Sequence, residues 1–223
     1  MNILLVYPEY PETFWSFTHA LKFVSKKAVF PPLGLITVAS LLPDSWNLKL
    51  VDLNTAELEN IDILKADYVF ISAMSVQRLS VNKVIQKCKA INTKIVAGGP
   101  LFTSSPENYH MVDHLVLDEA EITLPLFLKD LQEGNAKSIY RTPDWADITT
   151  TPSPRWDLVD SSKYSSMNLQ YSRGCPYDCE FCDITVLFGR NPRTKSKEQI
   201  IAELDNLYEA NWRGPVFFVD DNF

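Results

Sequence analysis

The sequence predicts an α/β fold in which a doubly wound parallel sheet is followed by the first strands of a second unit. The first observation behind this prediction is a series of short, continuously apolar segments that alternate with segments of helical periodicity. Parallel strands that are buried on both faces have this uninterrupted apolar character. The second observation is a loop with three cysteines that follows a further predicted strand at residues 167–171. We therefore expect one complete sheet and the beginning of another strand–helix unit.

The first unit contains five predicted strands, each short and rich in Val, Ile or Leu, at residues 3–7, 48–53, 68–72, 94–97 and 114–117. Four helices are predicted between and after them, at residues 33–42, 56–64, 77–92 and 123–132. Gly134 fits the C-cap position after the last helix. Since ligands of doubly wound sheets bind outside the carboxyl ends of the strands, we expect a ligand site at that edge.

Three of the predicted strand ends carry residues that suit such a site. Ser72 and Met74 follow the third strand, and Gly98 and Gly99 follow the fourth. Adjacent glycines let a ligand approach the backbone closely, but a tight β–α turn can also need them for its own geometry. Glu119 follows the fifth strand, where the dipole of the next helix would favour an acidic residue in any case. Both interpretations stay open for these residues.

Three cysteines lie within one short loop, at Cys175, Cys179 and Cys182. A structural zinc site needs four protein ligands. The candidates for a fourth ligand all lie far upstream in the sequence: Cys88, His19, His110 and His114. An iron–sulfur cluster held by three cysteines leaves one iron open for another ligand. The spacing therefore favours an iron–sulfur cluster, with a zinc site as the alternative, and an odd cluster of cysteines argues against disulfides.

Cys88 is interpreted differently. It shares a helical apolar face with Val81, Val84, Ile85 and Ile91. A cysteine in that pattern behaves as a small hydrophobic residue. We expect a buried, unreactive thiol.

The chain divides into residues 1–135, a connector at 136–166 and a second unit at 167–223. Prolines and short polar stretches favour extended structure in the connector. In the second unit, Ser196 and Gln199 form a capping box that begins a helix, and residues 216–219 form a strand. Such a unit cannot bury both faces of a parallel sheet by itself. We therefore expect the chain to be the N-terminal part of a longer protein, truncated after this strand.

The composition limits the classes of partner. The 223 residues carry a net charge of -7, and no run of Lys or Arg is present. Proteins that bind nucleic acid usually carry a basic patch, so we expect no nucleic-acid partner. The first residues have no basic start, and their apolar run is too short for a signal peptide or a membrane span. We expect a cytoplasmic protein without a membrane span.

The cysteine spacing, with Arg173 and Gly174 before it and Phe181 before the last cysteine, resembles that of the radical S-adenosylmethionine (SAM) enzymes. The motifs upstream resemble the N-terminal cobalamin-binding domain of one class of these enzymes, which includes bacterial hopanoid methylases. The resemblance covers essentially the whole chain and implies a flavodoxin-like cobalamin-binding domain followed by the first strands of a radical SAM partial (β/α) barrel. Its other motifs are Pro31-Pro-Leu-Gly-Leu35, Val51-Asp52, Ile71-Ser72, Gly98-Gly99-Pro100, Glu119-Ala-Glu121, Pro154-Arg-Trp-Asp157 and Phe218-Val-Asp-Asp221.

This resemblance implies a radical SAM methyltransferase. Cys175, Cys179 and Cys182 would bind three irons of a 4Fe-4S cluster, and the fourth iron would bind SAM. One electron from the reduced cluster would cleave SAM and release a 5′-deoxyadenosyl radical, and cobalamin would carry the methyl group. The implied SAM contacts are Phe181, Asp220, Asp221 and Asn222, and the candidate cobalamin contacts are Ser72, Met74, Gly98, Gly99 and Glu119.

The sequence departs from the family pattern in two places. The segment after the first strand has no histidine, so cobalamin would bind without a histidine ligand. Residues 118–121 read Asp-Glu-Ala-Glu where the family has Gly-Glu-Gly-Glu, which adds side chains where a corrin approaches. Cobalamin binding is therefore an open expectation.

The implied partners are a small-molecule or lipid-like substrate and an electron donor such as flavodoxin or ferredoxin. Because most of the barrel strands are missing, we expect little SAM cleavage by these residues alone. The alternative function is a non-catalytic cobalamin-binding or zinc-binding module.

Overall fold

The computed structural model describes residues 1–13 and 16–221. Within them the main sheet has six strands, all parallel, in the order β2-β1-β3-β4-β5-β6. The strands are β1 (Asn2–Tyr7), β2 (Asn47–Asp52), β3 (Tyr68–Ser72), β4 (Lys94–Gly98), β5 (His114–Val116) and β6 (Ile139–Tyr140). The predicted fold class is confirmed. The two-residue β6, which lies in the predicted connector, was not predicted from the sequence.

The helices of this unit lie on both faces of the sheet. They are α1 (Thr18–Phe23), α2 (Leu33–Ser40), α3 (Asn60–Leu64), α4 (Arg78–Ile91), α5 (Pro100–Ser104) and α6 (Ala120–Gln132). The four predicted helices correspond to α2, α3, α4 and α6, whereas α1 and α5 were not predicted. No helix in residues 1–13 and 16–221 is long and apolar enough to cross a membrane.

Alternate residues of the central strands β1, β3 and β4 pack into two separate apolar cores. On β1, Leu4 and Val6 face the core that includes α3, α4 and α5. Ile3 and Leu5 face the opposite core, which includes α2 and α6. All four are at most 2 % exposed, and full burial of such a side chain contributes about 1.5–3 kcal/mol. Burial on both faces explains why β1, β3 and β4 have no alternation of polar and apolar residues.

Helix α4 shows how the sequence pattern becomes a buried face. Val81, Val84, Ile85 and Cys88 form its buried stripe, and the helix ends at Asn92 in a left-handed conformation. Cys88 is 0 % exposed, and burial raises the pKa of its thiol to about 11. The predicted buried thiol is confirmed.

The second unit contains two small pairs of strands and two helices. They are β7 (Met167–Leu169), β8 (Ser172–Arg173), α7 (Ile184–Phe188), β9 (Arg193–Thr194), α8 (Lys197–Glu209) and β10 (Val216–Phe218). β7 pairs with β10 in parallel, and β8 pairs with β9 antiparallel. The predicted capping box begins α8: the Gln199 backbone N–H donates to Ser196 Oγ at 3.2 Å, and the Ser196 backbone N–H donates to Gln199 Oε1 at 2.9 Å.

A third apolar core joins the two units. Ile36 of α2 packs there with Trp156 of the connector and with Met167, Leu169 and Leu207. A single parallel bridge also pairs Ala28 with Tyr164. The predicted connector thus contributes buried side chains on its way between the units, and the division at residues 135 and 166 stays a prediction.

Candidate cofactor site

A cavity of about 550 Å³ lies at the carboxyl edge of the six-stranded sheet. The parallel strands bring together at its wall the five residues predicted from the strand ends: Ser72, Met74, Gly98, Gly99 and Glu119. Residues of α2, including Leu33 and Val38, line another wall. The second unit contributes Arg173, Asp183 and Asp221. The cavity is therefore bounded both by the sheet edge and by residues next to the cysteine loop.

Gly98 and Gly99 are required by the backbone geometry itself. A Cβ atom at Gly98 would lie 2.5 Å from the carbonyl oxygen of Val116 on the neighbouring strand. Gly99 has a φ of 89°, and a Cβ there would lie 2.8 Å from Ser72 Oγ. The turn geometry is thus a sufficient reason for both glycines. Their place at the cavity wall is also compatible with close approach of a ligand.

Two tyrosines lie at the end of β1 and just after it, at Tyr7 and Tyr10, and neither was predicted from the sequence as a site residue. The hydroxyls of Tyr7 and Tyr10 lie 2.6 Å apart, and the Tyr10 hydroxyl contacts Met74 Sδ at 3.6 Å. Burial, followed by the charge of Tyr10, raises the pKa of Tyr7, so the phenol stays protonated. The residues after β1 up to Thr13 include no histidine, and Tyr10 among them is hydrogen-bonded to Tyr7.

Glu119 and Glu121 form buried ion pairs with arginines of the second unit. Glu119 contacts Arg173 at 3.2 Å through Oε1 and Arg193 at 2.7 Å through Oε2. Glu121 contacts Arg173 at 2.8 Å. Burial opposes ionisation of Glu121, but the Arg173 guanidinium outweighs it and lowers the pKa of the carboxyl. These ion pairs could not be predicted from the sequence, because their members are far apart in the chain.

Asp118 replaces the first glycine of the family pattern and keeps a left-handed backbone, with a φ of 61°. Its carboxylate accepts from Arg141 Nε at 3.3 Å and from the Thr142 backbone N–H at 3.1 Å. Asp is one of the few side chains that adopt this conformation at modest cost.

The cysteine loop at residues 174–192 runs between β8 and β9. Cys179 is exposed, Cys175 and Cys182 are partly buried, and all three are free thiols. Among the described residues, no group of three or more His, Cys, Asp or Glu side chains is arranged to hold a metal ion. The site nevertheless fits a 4Fe-4S cluster in its donor chemistry, since three soft thiolates on one loop are the ligands that such a cluster takes. Phe181 is 91 % exposed, so packing within the loop does not account for it.

The two aspartates after β10 have different roles. Asp220 Oδ1 accepts from the Tyr171 backbone N–H at 3.1 Å and from Ser172 Oγ at 2.7 Å, so it holds the turn between β7 and β8. Asp221 lines the cavity, and its buried Oδ2 has no hydrogen-bond partner among the described residues. Burial raises the pKa of the Asp221 carboxyl. Asn222 lies outside the described residues.

Lys195 and Glu203 form a buried ion pair that was also missed. Lys195 lines the cavity and Glu203 lies on the buried face of α8. Burial raises the pKa of Glu203, and Lys195 partly offsets this effect. The sequence did contain one indication of this pair: Glu203 lies one helical turn before Leu207, on the same face of α8.

The sequence and the fold are similar to those of known proteins. The family described as B12 binding domain matches residues 23–128. An uncharacterized methyltransferase of Synechocystis sp. is 49 % identical over 100 % of this chain and 42 % of its own length. The hopanoid C-2 methylase of Rhodopseudomonas palustris is 40 % identical over 100 % of this chain and 43 % of its own length. The chain thus spans less than half the length of these curated relatives.

A solved structure shares the fold. The radical SAM methyltransferase TsrM of Kitasatospora setae superposes with a TM-score of 0.70 at 14 % identity, covering 99 % of this chain and 47 % of that chain. The site and these matches define a cobalamin-binding type of α/β domain joined to a cysteine loop of the radical SAM type. The chain is similar to cobalamin-binding radical SAM methyltransferases and aligns with less than half of their length.

Proposed function

We propose that this chain is the cofactor-binding part of a radical SAM methyltransferase. In this proposal the carboxyl edge of the six-stranded sheet holds cobalamin, and Cys175, Cys179 and Cys182 hold a 4Fe-4S cluster. One observation carries the proposal: a single cavity is lined by the sheet edge at Gly99 and by Arg173, which lies two residues before Cys175. Methyl transfer between bound groups requires them to face a common space in fixed orientation.

The cluster would supply the electron that cleaves SAM, and cobalamin would supply the methyl carrier. The residues of this chain bind and orient these groups. Asp221 lines the cavity, and its Oδ2 has no hydrogen-bond partner within residues 1–13 and 16–221, which supports a role in accepting a hydrogen bond from the SAM ammonium. Asp220 is less suited to that role because its carboxylate already accepts from Tyr171 and Ser172. The exposed ring of Phe181 is free to pack against an adenine.

The cobalamin would bind without a histidine ligand. No histidine is among the cavity-lining residues of the described chain. Tyr7, the last residue of β1, lines the cavity. Its hydroxyl is hydrogen-bonded to that of Tyr10 in the segment after β1. Neutral phenols, whose pKa burial raises, offer hydrogen bonds rather than a strong metal ligand.

The proposed substrate is a lipid-like small molecule, by analogy with the relative named as a hopanoid C-2 methylase. The aliphatic side chains of Leu33, Val38 and Leu41 at the cavity support an apolar occupant. We further propose an electron donor such as flavodoxin or ferredoxin and no nucleic-acid partner, given a net charge of -7. Four free cysteines suit the reducing cytoplasm.

Anaerobic reconstitution tests the cluster. We expect about four irons per chain and broad charge-transfer absorbance, both lost in Cys175→Ala, Cys179→Ala and Cys182→Ala. Cys88→Ala is the matched control, because its thiol lies in the core, and should retain the iron. Stoichiometric zinc without iron uptake would instead support the zinc-binding module.

Titration with hydroxocobalamin tests the second cofactor. Binding should change the visible spectrum of the corrin without the signature of an imidazole ligand. Since the described histidines do not line the cavity, replacing His114 or His110 should leave that spectrum unchanged. Absence of any binding would contradict the proposed cobalamin site but not the cluster.

A further inference from the structure

We propose that Glu119 is a positioning residue that holds both ends of the cysteine loop against the six-stranded sheet, rather than a direct cofactor contact. The inference rests on the proposed function, because the position of this loop matters for chemistry only if the loop carries the cluster. It assigns to Glu119 a role in orienting the loop relative to the edge where cobalamin would bind.

The geometry of the two ends carries the inference. Arg173 and Arg193 are directly opposite each other in the antiparallel pair of β8 and β9, and residues 174–192 form the loop between them. One carboxylate contacts both arginines: Oε1 of Glu119 lies 3.2 Å from Arg173, and Oε2 lies 2.7 Å from Arg193. Glu119 is the N-cap residue of α6 and lies three residues after the end of β5. A rigid strand end of the sheet is thereby joined to both ends of the loop.

Further hydrogen bonds extend this contact into the loop. Arg193 donates to the carbonyl of Phe188 at 2.9 Å, at the end of α7 inside the loop. Arg193 also donates to the Ala146 carbonyl at 2.7 Å, while the Ala146 backbone N–H donates to Glu119 Oε2 at 2.6 Å. The ring of Trp145 lies against Gly189 of the same loop. The segment after β6 therefore lies between the sheet and the loop and contacts both.

Burial makes this arrangement sensitive to loss of one charge. The Glu119 side chain is 1 % exposed, and those of Arg173 and Arg193 are 12 % and 19 % exposed. Two glutamates balance two arginines, and removing one member of a buried set leaves an uncompensated charge. Because Arg173 also pairs with Glu121, loss of the Glu119 charge would mainly release Arg193. The effect should therefore begin at the C-terminal end of the loop.

The test compares Glu119→Gln and Arg193→Gln with the control Arg141→Gln, in the full chain. Arg141 pairs with the neighbouring Asp118, is 51 % exposed and contacts no loop residue in the described hydrogen bonds and ion pairs. Hydrogen exchange of the metal-free protein gives the first measurement. Residues 174–192 should exchange about tenfold faster in both variants, which corresponds to about 1.4 kcal/mol of local stability, while β3 and β4 stay protected. The control should match the unmodified chain.

The second measurement is the rate at which a chelator removes iron from the reconstituted protein, expected to be about tenfold faster in the two variants. Unchanged loop exchange in both variants would overturn the inference. If Glu119→Gln also unfolds the sheet, loop exchange in Arg193→Gln decides whether the inference holds, because this variant leaves the pair of Glu119 and Arg173 intact. If the unmodified chain takes up no iron, the proposed function fails, and loop exchange still decides whether Glu119 holds the loop.

Discussion

The hydroxyl of Tyr164 donates a 2.8 Å hydrogen bond to the carboxylate of Asp52, which lies 112 positions earlier in the chain. Both residues are buried, at 2 % and 3 % exposure. Asp52 is the last residue of β2, and its carboxylate also accepts from the Asn54 backbone N–H at 2.9 Å. This hydrogen bond joins the end of the connector, just before the second unit, to the carboxyl end of β2 in the main sheet.

Tyr164→Phe should destabilise the protein, and the loss should grow with pH. Burial raises the pKa of Asp52, and the hydrogen bond from Tyr164 lowers it. A carboxyl whose folded pKa lies above its unfolded pKa costs stability as pH rises through the folded value, and removing the donor increases that cost. We expect a loss of about 1.5–3 kcal/mol at pH 8 and less at pH 4.5. Urea unfolding at both pH values measures this, with the exposed Tyr208→Phe as the control, and equal losses at the two pH values would contradict it.

Gly98→Ala should destabilise the sheet, because its Cβ would lie 2.5 Å from the backbone of β5. A backbone atom cannot move aside like a flexible side chain, so we expect a loss of about 1–3 kcal/mol. Gly34→Ala is the matched control: it lies inside α2 with nothing within 4 Å of the added atom. Better helix propensity should make that change neutral or stabilising by up to about 1 kcal/mol. Thermal unfolding of the two variants is the measurement, and equal midpoints would count against the close contact.

Lys195→Met should be strongly destabilising, by about 3–5 kcal/mol, since it leaves Glu203 buried and unpaired. The pKa of Glu203 is already raised by burial, so the single variant should become less stable as pH rises. Replacing both residues, in Lys195→Met with Glu203→Leu, should recover much of the loss. The measurement is a double-mutant cycle, in which chemical unfolding gives the free energy of unfolding of the unmodified chain, the two single variants and the double variant. Additive effects would show that the two residues do not interact.

Cys88 should react much more slowly with a thiol reagent than the three loop cysteines. Its thiol is 0 % exposed, and its pKa is about 11, so little thiolate is present at neutral pH. In native, metal-free protein we expect three rapid thiols and one slow thiol. Cys88→Ala should remove only the slow phase. A rapid fourth thiol would show that α4 opens readily.

Long periodic segments were predictable because their own residues determine them. The predicted helix at residues 77–92 corresponds to α4 at Arg78–Ile91, and the capping box at Ser196 formed as expected. β6, β8 and β9 have two residues each and exist only because distant strands pair with them. No local pattern could have indicated them.

The candidate site likewise contains features that local sequence predicts and features that only tertiary packing creates. The position of strand-end residues such as Ser72 and Gly99 at the cavity wall was predictable, because the carboxyl ends of parallel strands meet at one edge of the sheet. Their role as cobalamin contacts stays a prediction. The partners of Glu119 were not predictable, since Arg173 and Arg193 reach it only through tertiary packing. The roles of Phe181 and Asp221 as SAM contacts stay predictions.

The bridge between Ala28 and Tyr164 has a consequence for the order of folding. All six strands of the main sheet are available once Tyr140 has been synthesised, whereas the partner of Ala28 comes later. Contacts between residues so distant in sequence form slowly, and N-terminal units fold first during synthesis. Ile36, which is fully buried in the finished protein, stays in contact with water until Trp156 and β7 have packed against it. The apolar face of α2 around Ile36 therefore depends on residues synthesised later for its burial.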